Sequence, residues 1–174
     1  MSNQKETMKQ VYQQINSSEN GDCMKATLCS LLELDYDSVP NFVEYEYWWQ
    51  RMESVLNANG YEWGKRFFNE LKYDLWNPKD CFEPYPQYVE GYRLSDIMPE
   101  DTIDGFLFGS VLSPHYFNPQ NLDEGLHMVV IDTNCNIVFD PNPKYAAIHH
   151  YPLSRLLGHN GVLEAWGVKK LKED

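Results

Sequence analysis

Leu126-His127-Met128-Val129-Val130-Ile131-Asp132-Thr133-Asn134-Cys135-Asn136-Ile137-Val138-Phe139-Asp140 is the stretch that decides the fold. Two apolar runs, Leu126 to Ile131 and Ile137 to Phe139, flank Asp132-Thr133-Asn134, whose short polar side chains favour a tight turn. The pattern predicts an antiparallel hairpin. A third apolar run, Gly105 to Leu112, precedes it as a further strand. Beyond it, Leu153 to Leu157 reads as a short helix and Val162 to Leu171 as the last strand. Upstream, Tyr61 to Phe68 and Lys9 to Gln14 have strand character.

The first third of the chain carries a different period. Met24, Leu28, Leu31 and Leu32 recur at spacings of three and four, predicting an amphipathic helix from Cys23 to about Leu34. Asn20 or Asp22 is placed to cap its start. Tyr45, Trp48, Trp49, Met52, Val55 and Leu56 share one face of a second helix, Glu44 to Asn59, which Gly60 stops. Helices first and strands later imply α+β, with N-terminal helices packed on a mainly antiparallel sheet. Pro78, Pro84 and Pro86 mark a loop in a middle region whose pattern is weak.

At 174 residues the chain is expected to form a single domain over residues 1–174, large enough to bury a core without disulfides or metal. Its net charge of −12 repels phosphate backbones and anionic lipid, so neither nucleic acid nor membrane is an expected partner. Met1 to Gln10 is polar and lacks the apolar core of a secretory signal. No apolar run approaches the ~18 residues of a membrane helix. A cytoplasmic protein with reduced thiols is therefore expected.

Four cysteines stand at 23, 29, 81 and 135, and none forms a C-x-x-C pair. Neither a zinc ribbon nor a dithiol redox motif is expected, and no metal or cofactor. Cys23 follows Gly21-Asp22 at the predicted helix start. Free first-turn amides and the helix dipole favour a thiolate there and can hold a developing oxyanion. A small buried apolar side chain is the other role open to it. Cys29 falls on a different helix face, which suits the core. Cys81, among Pro and Phe, and Cys135, in the hairpin, lack a helix-start setting.

Among the histidines, His127 opens a strand. The turn at 132–136 brings position 127 toward Asp140, where an acid can orient the imidazole and fix its tautomer. A structural pair of a strand-end histidine and a loop aspartate fits the same spacing. His115 lies in a Pro-flanked loop, and His149-His150 has no third ligand spaced for zinc. His159, in Gly-His-Asn-Gly, reads as a turn. The polar loop Ser113 to Glu124, just before His127, is either a lid or a surface excursion.

Gly21-Asp22-Cys23-Met24-Lys25-Ala26, then Ser30-Leu31-Leu32-Glu33-Leu34 and Ser38-Val39-Pro40-Asn41-Phe42, resembles the opening of small papain-like cysteine-peptidase-fold proteins of bacteria and their phages. Their later strand-borne histidine and Asp-Pro step look like His127-Met128-Val129-Val130 and Asp140-Pro141-Asn142-Pro143. The resemblance covers residues 11–60 and 105–145. It implies a papain-like fold, with Cys23 as nucleophile, His127 as general base and then acid, and Asp140 as orienting acid. It also implies an upstream glutamine in the oxyanion hole beside the Cys23 amide. Gln13 and Gln14 lie 10 and 9 residues before Cys23, farther than in papain-like enzymes. Gln13 is chosen because it alternates with Val11. Asp22 as helix cap would leave the oxyanion to the Cys23 amide alone.

The implied function is a cysteine hydrolase acting on an amide or peptide bond through an acyl-enzyme. Its substrate would be a peptide, a protein or a small amide. The alternative is a catalytically inactive papain-like-fold binding protein, a phage or mobile-element factor that sequesters a host protein or small molecule. Its interface would be the Pro-rich segment 78–86 and the aromatic run Tyr45-Glu46-Tyr47-Trp48-Trp49.

Overall fold

In the computed structural model six strands form one sheet: β1 (Tyr61–Phe68), β2 (Tyr92–Arg93), β3 (Phe106–Leu112), β4 (Leu126–Asp132), β5 (Ile137–Phe139) and β6 (Glu164–Lys170). Their spatial order is β2-β1-β6-β3-β4-β5, and every pairing is antiparallel except β1 with β2. The chain is α+β around a mainly antiparallel sheet. The structure describes residues 8–14, 22–42, 47–70, 92–118, 120, 125–145 and 151–172. Asn20 and Gly21, Glu44 to Glu46, the Pro-rich segment 78–86 with Cys81, His149-His150, and residues 119 and 121–124 of the polar loop lie outside the described residues.

Both sheet faces are covered, which is why β3 and β4 read as near-continuous apolar runs. Helices α1 (Cys23–Leu32) and α2 (Trp48–Ala58) pack on one face, where Leu28, Met52 and Leu56 meet Phe108, Met128, Val130 and Trp166. On the other face Leu107, Val111, Val129 and Ile131 pack with Tyr151 and Val162. A short helix, α3 (Ser154–Leu157), leads toward β6.

α1 ends two residues before the predicted Leu34. Glu33 turns left-handed at φ 57°, and the Leu34 amide closes back on the Cys29 carbonyl at 2.9 Å. Leu34 then packs beside Val11, Cys29 and Val39. In α2, Trp49, Met52 and Leu56 are buried, and Trp49 stacks on Trp63 with ring centroids 4.1 Å apart. Trp49 is thus a core residue, while Tyr47 is exposed.

Lys9–Gln14 is not a strand. Its amides find side chains and a turn instead of a ladder: Val11 N–H donates to Ser30 Oγ at 3.0 Å, and Gln13 N–H to the Pro141 carbonyl at 2.8 Å. The in–out alternation expected of a strand survives, with Val11 and Gln13 buried and Tyr12 and Gln14 exposed.

Candidate active site

A one-residue slip in the β4–β5 ladder builds the site. Ile131 opposes Ile137, but Val130 opposes Phe139, so Val138 is an extra residue on β5. Continued without the slip, with Val138 paired to Val130, the Ile131–Ile137 register sets position 140 opposite Met128, on the α1 face. With it, position 140 falls opposite Val129 and shares the other face with His127. The observed contact agrees: His127 Nε2 and Asp140 Oδ1 are 2.6 Å apart, with both side chains buried.

β5 is also short, ending at Phe139 opposite Val130. Past that point α1 takes up the open edge of β4. Thr27 Oγ1 donates to the Met128 carbonyl at 3.3 Å, and Met128 N–H points at Cys23 Sγ at 3.5 Å. Cys23, the first residue of α1, therefore reaches this edge from the helix face while His127 reaches it from the other. Cys23 Sγ thus lies against the residue that follows His127, and its charge acts on the His127 ring. Because Nε2 is turned to Asp140, the nitrogen left for Cys23 is Nδ1.

Burial disfavours an imidazolium at His127. Hydrogen bonds to Asp140 and Cys23, and their charges, outweigh that penalty and push the ring up to about 10. The two other described thiols move up instead. Burial raises Cys29 to about 11 and Cys135 to about 12, so both are inert at neutral pH.

Asp140 is itself held at both oxygens. Oδ1 accepts the Asn142 amide at 2.8 Å as well as His127, and Oδ2 accepts the Tyr151 hydroxyl. Nothing in the sequence singles out Tyr151, because a tyrosine 11 residues past the aspartate carries no spacing signal. The Tyr145 ring stands edge-on to His127, with centroids 5.4 Å apart at 90°. Its hydroxyl lies 3.4 Å from Ser113 Oγ, at the start of the polar loop. That loop is closed at its base, where Ser113 N–H donates to the Gly125 carbonyl at 2.7 Å. Gly125 has φ +70°, and a Cβ there would sit 2.2 Å from the Tyr116 carbonyl oxygen, so only glycine fits.

Asp22 stands at the N-cap position of α1, yet its carboxylate caps no first-turn amide. It is fully buried and turns back to accept Gln14 N–H at 3.0 and 3.1 Å and the Tyr36 hydroxyl. The Lys25 ammonium lies 3.7 Å from the Tyr36 ring centroid. These contacts run the Val11–Gln14 segment along α1 toward its N-terminus. Gln13 is thereby buried between Asp22, through its neighbour Gln14, and Pro141, the residue after Asp140.

The remaining histidines stand apart. His115 is exposed, with its ring 5.5 Å from that of Tyr145. His159 sits at positive φ in a one-turn helix and bonds Glu70. Among the described residues no group of three His, Cys, Asp or Glu is arranged to hold a metal ion, and no helix is long and apolar enough to cross a membrane. No family model matches the chain, and comparisons with curated proteins and with solved structures gave no match.

Proposed function

We propose that the chain is a papain-like cysteine hydrolase that cleaves an amide or peptide bond. The supporting observation is the convergence of Cys23, His127 and Asp140 at the open edge of β4, with His127 Nε2 bound to Asp140 and Nδ1 left for the thiol. Cys23 Sγ attacks the substrate carbonyl carbon as a thiolate, and the carbonyl oxygen takes the negative charge. First-turn amides of a helix lack intrahelical acceptors, so the Cys23 N–H is available to that oxyanion. Gln13 is the side chain we assign to assist it. The imidazolium of His127 gives its proton to the departing amine as the C–N bond breaks. Water, losing a proton to the now neutral imidazole, adds to the acyl-enzyme and frees the acid and Cys23. Asp140 keeps the ring oriented throughout and stabilises its cationic form.

A peptidyl vinyl sulfone tests this by intact-mass and peptide analysis. One adduct at Cys23, absent in His127→Ala, is the expected result. Absence of any adduct at Cys23 in the parent contradicts the hydrolase and favours the alternative of a sequestering protein.

A further inference from the structure

We propose that Tyr151 is a positioning residue of this site, fixing the Asp140 carboxylate by its second oxygen. This rests on the hydrolase function proposed above.

The last torsion of an aspartate side chain is broad, so a carboxylate held at one oxygen swings about it. Asn142 N–H and His127 both engage Oδ1, and only Tyr151 among the described contacts engages Oδ2. Tyr151 is 5% exposed and belongs to the core layer with Val111 and Val129, so its hydroxyl is carried on the sheet's packing rather than on a loop tip. Burial and the Asp140 charge push its phenol up, which keeps it a donor over the whole working range. A hydroxyl donated to a buried carboxylate also supplies what that oxygen lost on leaving water. The bulge at Val138 puts Asp140 on the right face, and Tyr151 then sets its rotation.

The titratable groups facing His127 are Cys23 from α1, Asp140 from the turn after β5, and Tyr145 edge-on. Those facing Tyr151 are Asp140 and Tyr145. The test is the rate of Cys23 alkylation by iodoacetamide in the parent, Tyr151→Phe, Asp140→Asn and the double variant. Tyr151→Phe is expected to be slowed about tenfold near pH 6, one hydrogen bond to a charged group, and to match the parent near pH 10, where thiols ionise unaided. In the Asp140→Asn background the same change is expected to have no effect. Equal slowing at both pH values, a profile superimposed on the parent's, or full additivity in the double variant overturns the proposal. In the parent itself, a Tyr151 hydroxyl proton protected from exchange is the second measurement, and its absence also overturns the proposal. Alkylation of Cys23 that is indifferent to His127→Ala overturns the hydrolase function instead, so the two failures are distinguishable.

Discussion

His127 and Asp140 meet on one face of the sheet because the β4–β5 ladder slips by one residue at Val138, which stays out of the pairing between Ile137 and Phe139. Val138 is 40% exposed. Deleting Val138 leaves Phe139 opposite Val130 and Asp140 opposite Val129 as before, so Asp140 is expected to stay on the His127 face and Cys23 reactivity to be retained. Val138→Ala keeps the extra residue and is expected to cost no more than about 0.5 kcal/mol, with reactivity intact. Alkylation kinetics on both variants check this.

The His127–Asp140 pair links stability to pH. The folded ring holds its proton up to about 10, whereas an unfolded histidine loses it near 6.5. Between these values the native state binds more protons than the unfolded state, so stability falls as pH rises. The contribution is fully present below about pH 6.5 and is lost as pH climbs through the folded value. Urea unfolding from about pH 6.5 to 9 is expected to show this decline, and Asp140→Asn is expected to flatten it. The window ends below the buried thiols Cys29 and Cys135, whose own titration adds to the loss higher up.

The oxyanion role proposed for Gln13 can be separated from thiolate formation. Gln13→Ala is expected to lower amide turnover about 10²–10³-fold while leaving Cys23 alkylation unchanged, because alkylation forms no oxyanion. Equal losses in both assays would assign Gln13 to the packing of the Val11–Gln14 segment instead.

Trp49 tests the assignment of the aromatic run to the core. It is 7% exposed and stacked on Trp63. Trp49→Ala is expected to cost about 3–5 kcal/mol in chemical denaturation, with the Cys23 alkylation profile of the folded fraction unchanged.

Much of this architecture is legible in the sequence because the deciding signals are local. The hairpin runs, the Cys23 helix start and the period of α2 each depend on residues a few positions apart. A turn of known length sets position 140 near position 127 along the ladder, but not the face on which it lies. The slip at Val138 is not legible, since Ile137-Val138-Phe139 fits either register and only packing of Phe139 against Val130 and Met128 selects one. Asp22 departs from the cap role open to it for a related reason. Its position marks a cap, but Tyr36 and the Gln14 amide, brought by tertiary packing, bind its carboxylate first. Tyr151 reaches Asp140 from the far-face core, which no spacing encodes.

The most direct test of the proposed Cys23–His127 pair is the alkylation rate of Cys23 against pH, resolved from Cys29 and Cys135 by peptide mass spectrometry, in the parent and in His127→Ala. The pair predicts that Cys23 in the parent reacts well below about pH 8.5, where an ordinary thiol is still protonated, that Cys29 and Cys135 stay unmodified, and that His127→Ala abolishes the low-pH reactivity. A Cys23 that reacts no faster than the buried thiols, or with the same profile in both proteins, would contradict it.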